Sequence, residues 1–212
     1  MPGVETRAGG HADGCCYDNG VADSAHSARA GTFQTIFLDR DGVLNEKMPE
    51  DSYVRAWSDF RILPGVPEAI ARLNRAGLRV VVVSNQRGIA LGLYTPADVE
   101  AVHTGLQTLL QEHEAHVDAF YFCPHDKSVC SCRKPLPGMF QQAQRDFPDI
   151  NATTSVMIGD SISDIEFGKR LGMATVFLEG APERRKPGAD EAAALADWQF
   201  RSLPEAVEAL LA

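Results

Sequence analysis

The residues best suited to chemistry are two carboxylates one residue apart, Asp39 and Asp41. They follow an apolar run at residues 35–38 and precede Gly42, a context that predicts a buried strand ending in a sharp turn. In an open α/β sheet the carboxyl ends of the strands form the ligand crevice. An Asp-x-Asp-Gly turn there can hold a hard cation and leave one carboxylate free to attack an electrophile. The alternative is a loop of solvated acids, and the rest of the chain decides between the two.

Polar groups also follow other apolar runs. Ser84, Asn85 and Gln86 come directly after four valines. A hydroxyl at a strand end, followed by backbone N–H groups entering a turn, can hold phosphate oxygens, although Ser and Asn are also common in ordinary turns. Further along, Arg133 and Lys134 precede a Pro-Leu-Pro-Gly turn, where two adjacent cations are either a solvated pair or an anion site.

A second pair of acids follows the apolar run 156–158. Asp160 and Asp164 are placed on one face of the first turn of a predicted helix. By themselves they are ordinary helix caps, because acids favour helix N-termini. In chain order, however, acids, a hydroxyl, a lysine and acids again each follow an apolar strand. This repetition favours one shared site over separate caps.

Alternating strand and helix patterns supply the frame that brings these residues together. Runs rich in Val, Ile and Phe predict strands at residues 34–38, 79–84, 119–122, 155–158 and 174–178. Helices are predicted at residues 67–76, 96–113, 137–147, 163–171 and 203–211. This order predicts an α/β fold with a doubly wound, mostly parallel sheet. The connections have no room for a separate cap domain, so we expect loops such as 45–60 to cover the site.

The composition limits the class of protein. A chain of 212 residues suits one domain, and 44% hydrophobic with 23% charged residues is ordinary for a soluble globular protein. The net charge of −9 argues against a nucleic-acid partner, because phosphate-backbone binding needs clustered Lys and Arg. No run is apolar enough to span a bilayer and the start has no signal-peptide pattern, so we expect a cytoplasmic monomer. Residues 1–31 are predicted to be a disordered leader before a folded domain at 32–212.

The spaced motifs resemble those of the haloacid dehalogenase superfamily of phosphohydrolases over residues 33–180. The resemblance implies a Rossmann-like core and an aspartyl-phosphate formed on Asp39. It also implies that Asp41 protonates the leaving alcohol and then, as a base, activates water. Mg²⁺ is expected on the carboxylates of Asp39 and Asp160 and on the backbone carbonyl of Asp41, since this ion takes oxygen ligands.

The same resemblance assigns the other strand-end residues. Ser84, the Asn85 amide and Lys134 are expected to neutralise the phosphoryl oxygens during transfer. Asp164 is expected to support the metal site or Lys134. On this interpretation residues 32–212 form a phosphatase domain.

Three thiols and one imidazole lie within ten residues, at Cys123, His125, Cys130 and Cys132. This count and type predict a structural tetrahedral Zn²⁺ site in a loop at 123–132 that presents the following two cations. A disulfide is disfavoured in the cytoplasm, and buried cysteines that never meet are the other alternative. Three further histidines are interpreted as surface or cap residues: His103, His113 and His116.

Within the superfamily, the Cys/His loop resembles those of two families, the heptose 1,7-bisphosphate 7-phosphatases and the histidinol-phosphatases. The segments 38–42 and 84–92 look like the heptose family, whereas the short loop and the spacing from Asp41 to residues 64–65 look like the histidinol family. The chain departs from the heptose pattern at Ser52 and Ser161. The residues predicted to bind the substrate, besides those named above for the phosphoryl group, are Gln86, Arg87, Arg133, Tyr53 and Val54.

The leading interpretation is a Mg²⁺-dependent phosphomonoesterase acting on a small phosphorylated sugar, most favourably heptose 1,7-bisphosphate at the 7-phosphate. The alternative substrate is histidinol phosphate, whose cationic groups Glu46, Glu50 and Asp51 can face. A DNA 3′-phosphatase has a related fold, but the acidic charge argues against it. A noncatalytic, zinc-stapled binding module is disfavoured because the full set of acids and the lysine is present.

Overall fold

The computed structural model describes residues 33–49, 52–180, 185 and 187–212. The predicted leader, residues 1–31, lies outside them. A six-stranded sheet of parallel strands in the order β3-β2-β1-β4-β5-β6 forms the centre. The strands are β1 Thr35–Leu38, β2 Arg79–Asn85, β3 Ala119–Cys123, β4 Ser155–Gly159, β5 Ala174–Leu178 and β6 Trp198–Phe200. The predicted doubly wound α/β class is confirmed, with helices on both faces of the sheet.

Seven α-helices connect and cover the strands in the described part of the chain. They are α1 Val66–Arg75, α2 Arg87–Ala90, α3 Pro96–Gln111, α4 Gly138–Asp146, α5 Ile162–Leu171, α6 Ala189–Leu195 and α7 Leu203–Leu210. The predicted helices lie within about two residues of the observed ones. Two short helices and one of the two edge strands, namely α2, α6 and β6, were not predicted because each is too short to show a clear hydrophobic period.

The sheet is covered by apolar residues on both faces. Along β1, Ile36 and Leu38 pack into one core with residues of α1, α3 and α7, whereas Phe37 packs into a second core with Phe140 of α4 and Phe167 of α5. Alternate residues of a strand point to opposite faces, so each strand contributes to both cores. This burial explains why the strands read as almost continuous apolar runs.

The central position of β1 determines where the polar residues gather. β1 pairs with β2 on one side and with β4 on the other, in register from Thr35 to Leu38. The residues that follow these three strands therefore lie at one edge of the sheet. In the described residues no helix combines the length and the apolar character needed to cross a membrane.

Candidate active site

The polar residues after β1, β2 and β4 line or border one cleft of about 900 Å³ at the carboxyl edge of the sheet. The turn after β1 contributes Asp39 and Asp41, and β2 ends with Ser84 and Asn85 at the cleft. The segment 52–54 and residues 47–49 form another part of the cleft wall. The expectation that loops rather than a cap domain cover the site is therefore met by the described residues.

Lys134 is a buried cation of the site, with 3% of its surface exposed. Its Nζ lies 2.9 Å from an Asp39 oxygen and 2.6 Å from an Asp164 oxygen, and donates a hydrogen bond to the Val83 carbonyl at 2.6 Å. Burial by itself lowers the pKa of Lys134, but the two carboxylates outweigh it and raise that pKa above its ordinary value. The Asn85 side chain holds the Lys134 backbone by accepting from its N–H and donating to its carbonyl.

Asp164 connects this cation to the start of α5. One of its oxygens accepts from the backbone N–H of Ser161 at 3.0 Å and from the Ser161 hydroxyl at 2.6 Å, which closes a capping box. The other oxygen is the one paired with Lys134. Asp164 is fully buried, so it fixes Lys134 relative to the helix and does not reach solvent.

A group of three carboxylates can hold a metal ion. Oxygens of Asp39, Asp160 and Asp164 lie within 4.8 Å of one another, and all three residues are buried. Gly42 allows this approach: its φ is +98°, and a Cβ there would lie 2.2 Å from an Asp160 oxygen. Lys47 also forms an ion pair with Asp160. Oxygen donors of this kind suit Mg²⁺, so the residues present fit that ion.

Asp41 contacts a different set of side chains from those around the three grouped carboxylates. Both of its oxygens lie 2.9 Å from Nη2 of Arg40, and they accept from Asn45 at 3.0 Å and from Gln86 at 3.1 Å. Burial raises the pKa of Asp41, but Arg40 and the hydrogen bonds from Asn45 and Gln86 outweigh it, so that pKa is below its ordinary value. The resting side chain is therefore an anion held from three directions.

Three residues of this environment were missed or misread from the sequence. Arg40, between the two aspartates, is 1% exposed. His103 is buried and stacks on Phe120 at a ring distance of 4.5 Å, so its prediction as a surface or cap residue was wrong. Burial and the nearby Arg40 charge lower the pKa of His103 to about 3. The third residue is Tyr94, whose hydroxyl donates to Gln86 at 2.8 Å.

A helical signal could have identified His103. It lies four residues after Val99 and three before Leu106, on the face of α3 that is buried against the sheet. Apolar residues at that spacing mark a core face. No comparable signal identifies Tyr94 or Arg40, whose burial depends on how the loops fold over the strand ends.

Most of the residues predicted to bind the substrate line the cleft, but Arg87 does not. Arg133, Tyr53 and Val54 line the cleft, as does Gln86. Arg87 lies outside the lining and pairs with Asp126 at 2.6 Å.

The Cys/His residues come together beside this site. The Sγ atom of Cys123 lies 3.5 Å from that of Cys130 and 3.2 Å from that of Cys132, and Nδ1 of His125 lies 3.2 Å from the Cys132 sulfur. The three cysteines are free thiols. Burial is the main cause that raises the pKa of the Cys123 thiol. The alternative of cysteines that never meet is therefore excluded.

The four ligand atoms lie close enough together for one metal ion to contact them all, and the sulfur–sulfur distances of 3.2 and 3.5 Å are shorter than those of a tetrahedral zinc site. Two sulfurs bound to one Zn²⁺ at about 2.3 Å lie roughly 3.7 Å apart. All four ligand atoms are within 4.8 Å of one another. The cluster ends at Cys132, so it directly precedes Arg133 and Lys134.

Paired aspartates, a buried lysine and a second acid pair at the edge of a parallel sheet define a phosphohydrolase site of the haloacid dehalogenase type. A family model described as HAD-hydrolase-like matches residues 131–206. The D-glycero-alpha-D-manno-heptose-1,7-bisphosphate 7-phosphatase of Mycobacterium bovis is 39% identical over 178 residues, 84% of this chain and 91% of that protein. The D-glycero-beta-D-manno-heptose-1,7-bisphosphate 7-phosphatase of Escherichia coli K12 is 34% identical over 189 residues, 85% of this chain and 95% of that protein.

A solved structure leads to the same family. The D,D-heptose 1,7-bisphosphate phosphatase of B. bronchiseptica, complexed with magnesium and phosphate, superposes with a TM-score of 0.73 at 32% identity. The match covers 84% of this chain and 98% of that one. The chain belongs to the haloacid dehalogenase superfamily of phosphatases, within the family of the heptose-1,7-bisphosphate 7-phosphatases.

Proposed function

We propose that this protein is a Mg²⁺-dependent phosphomonoesterase that removes the 7-phosphate of heptose 1,7-bisphosphate. The observation that carries the proposal is the cleft in which the Asp39–Lys134 pair lies beside Asp41, with additional cations on the walls. The names of the relatives support the substrate, since proteins named for heptose 1,7-bisphosphate match most of the chain. Three free thiols in one cluster are compatible with the reducing cytoplasm.

The two aspartates divide the chemistry. The Asp39 carboxylate attacks phosphorus, the bond to the leaving oxygen breaks, and Asp41 gives its proton to that oxygen. In the second half, Asp41 takes a proton from water, the water oxygen attacks phosphorus, and the Asp39–phosphorus bond breaks to release phosphate. The resting Asp41 is an anion, and the charge of a bound phosphate ester favours its protonation because like charges in one site raise a carboxylate pKa.

The metal ligands we propose are the carboxylates of Asp39 and Asp160 and the backbone carbonyl of Asp41. A bound Mg²⁺ supplies positive charge to the oxygens of the transferring phosphoryl group. Asp160 is 7% exposed, and its carboxylate lies beside the turn at Gly42 with an oxygen within 4.8 Å of an Asp39 oxygen.

The chain itself supplies further positive charge and donors for the phosphoryl group. Lys134 already contacts Asp39, the residue that accepts the phosphoryl group. The carboxylates of Asp39 and Asp164 keep the Lys134 side chain charged. Ser84 and the backbone N–H of Asn85 lie at the end of the neighbouring strand. Such positioned charges provide most of the catalysis in phosphoryl transfer.

The charges on the cleft walls favour a substrate with two anionic groups. Lys127, Arg133 and Arg185 line the cleft and are more exposed than Lys134. They suit the second phosphate of a bisphosphate better than the cationic imidazole and amine of histidinol phosphate. Glu46 is exposed, and Glu50 and Asp51 lie outside the described residues.

The Cys/His cluster is proposed to bind one structural Zn²⁺. Its role is to hold the loop that carries Arg133 and Lys134, because all four positions of the site are filled by protein ligands. Arg133 adds a hydrogen bond from its guanidinium to the His125 carbonyl at 3.4 Å, within the same loop.

Phosphate release from four substrates tests the proposal. The full chain with Mg²⁺ is assayed on both anomers of heptose 1,7-bisphosphate, on histidinol phosphate and on a 3′-phosphorylated oligonucleotide. We expect the highest kcat/KM for a heptose bisphosphate. A much higher value for histidinol phosphate or for the oligonucleotide overturns the substrate, and no release from any of them overturns the activity.

A further inference from the structure

A chain of hydrogen bonds connects Asp41 through Gln86 to Tyr94. The Tyr94 hydroxyl donates to Oε1 of Gln86 at 2.8 Å. From the other end of the same amide, Nε2 donates to an Asp41 oxygen at 3.1 Å and to the Ser84 hydroxyl at 2.6 Å. Gln86 is 2% exposed and Tyr94 is 7% exposed, so bulk water does not compete for these groups.

The partners of Gln86 determine which way its amide faces. Oε1 meets two donors, the Tyr94 hydroxyl and, at 3.5 Å, the Arg40 guanidinium. Nε2 faces two acceptors, the Asp41 carboxylate and the Ser84 hydroxyl. The opposite orientation would place the amide N–H groups against the guanidinium and the amide oxygen against the Asp41 carboxylate, both of which are repulsive. Tyr94 thus stabilises the orientation in which Gln86 can hold Asp41.

The local chain is built to admit the tyrosine ring. A Cβ on Gly88 would lie 2.1 Å from Cε1 of Tyr94, so only glycine leaves space for the ring there. The N–H of Leu93 bonds to the Gly88 carbonyl at 2.9 Å, which folds the segment after α2 back onto its start. Burial is the main cause that raises the pKa of Tyr94 to about 12, so its hydroxyl keeps the proton that it donates.

We propose that Tyr94 and Gln86 are positioning residues that fix the direction of the Asp41 carboxylate toward the leaving oxygen. The inference rests on the proposed phosphatase function and assigns Gln86 a role behind Asp41. In the first step the leaving oxygen takes the Asp41 proton as its bond to phosphorus breaks and the Asp39–phosphorus bond forms. A misdirected carboxylate slows this transfer when the leaving group is a poor one, and matters little when the leaving group departs without a proton.

The test compares two leaving groups in Tyr94→Phe and Gln86→Met. The substrates are an aryl phosphate with an activated leaving group and an alkyl phosphate, assayed with the Mg²⁺-loaded full chain. We expect the alkyl-phosphate kcat to fall about three- to tenfold in Tyr94→Phe, in keeping with the loss of one buried hydrogen bond. The aryl-phosphate kcat is expected to change less than twofold, and KM on both substrates to stay within about twofold. In the Gln86→Met background, Tyr94→Phe is expected to add no further loss.

Tyr121→Phe is the matched control. Tyr121 is also buried, and its hydroxyl donates to the Asp146 carboxylate at 2.8 Å, but it packs in the core that contains residues of α4. We expect no change in its alkyl-to-aryl ratio. Equal losses on the two substrates in Tyr94→Phe, or the same change of the alkyl-to-aryl ratio in Tyr121→Phe, overturn the inference while the phosphatase function stands. Absence of phosphate release by the wild type overturns the proposed function itself.

Discussion

The two clusters of metal-binding side chains are held in different ways. In the carboxylate site the acids are paired with cations of the same chain: Lys134 with Asp39 and Asp164, and Lys47 with Asp160. The Cys/His cluster is held by contacts among its own thiols and imidazole.

This difference predicts two kinds of dependence on metal. Buried carboxylates without a counter-charge are costly, and Lys134 offsets that cost whether or not a metal is bound. The geometry of the carboxylate site is therefore expected to survive the loss of Mg²⁺. The thiols contact one another and the His125 imidazole, and a metal ion would bind all four groups, so we expect metal binding and the folding of their loop to be coupled.

The largest expected effect is on the nucleophile. Asp39→Asn is expected to reduce kcat for phosphate release by roughly a thousandfold or more, because an amide does not attack phosphorus. The measurement is steady-state phosphate release, with circular dichroism as the check on folding. Asp149→Asn is the control, since Asp149 is an exposed partner of Arg79. A mutant with near-wild-type turnover contradicts the role of Asp39.

Lys134→Met tests whether the chain's own cation holds the acids. It leaves the Asp39 and Asp164 carboxylates buried without this partner, which costs about 3–5 kcal/mol of unfolding free energy. Urea unfolding without Mg²⁺ measures the loss. The control is Lys169→Met, which breaks the more exposed pair with Asp197 and is expected to cost at most about 1 kcal/mol. Similar losses in both variants would remove the basis of the comparison.

Metal removal separates the two clusters directly. After washing with EDTA, elemental analysis is expected to find one Zn²⁺ per chain but no Mg²⁺, and activity to return when Mg²⁺ is added. Cys130→Ser is expected to lower Tm by about 4–8 °C, corresponding to about 2 kcal/mol. Removal of Mg²⁺ from the wild type is expected to change Tm far less. Protein expressed with zinc that contains none would refute the zinc site.

Arg133 belongs to both regions, since it follows Cys132 in the loop and lines the catalytic cleft. Arg133→Ala is expected to raise KM for heptose 1,7-bisphosphate about tenfold, through loss of one charged contact worth about 1.4 kcal/mol. Hydrolysis of a simple aryl phosphate is expected to change little. Arg87→Ala, which removes the pair with Asp126 outside the cleft, serves as a comparison. Equal damage by Arg133→Ala on both substrates would argue against a specific contact.

The smallest expected effect is the pH dependence of the free energy of unfolding that the buried His103 causes. The pKa of His103 is about 3 in the folded chain and about 6.5 when unfolded, so the unfolded state binds more protons between these values. Neutral, buried His103 therefore makes its full contribution to the free energy of unfolding above pH 6.5. That contribution decreases as the pH falls, by about 1 kcal/mol from pH 7 to 5.5. Urea unfolding is expected to show a smaller decrease over this interval in His103→Leu. An equal decrease in His103→Leu and in the wild type would contradict this contribution of His103.

The strand ends were predictable because their signals are local. A run of apolar residues followed by Asp, Ser or Gly is visible without a structure, and parallel strands bring their carboxyl ends to one edge. The apolar face of α3 is equally clear in the sequence, but His103 on that face was wrongly predicted to be a surface or cap residue, because histidine is usually not fully buried. Short elements such as α6 and β6 lacked a period long enough to read.

The order of residues along the chain was enough to predict the α/β class, the strand ends that carry Asp39 and Asp160, and the types of ligand in each cluster. These features were predictable because hydrophobic periodicity, and the polar residues that end each apolar run, depend on near neighbours in the chain. Which groups meet depends on the folded arrangement, as in the contacts of Arg87 with Asp126 and of Tyr94 with Gln86. These contacts join residues whose side-chain directions depend on how loops pack over the sheet, and local sequence does not specify those directions.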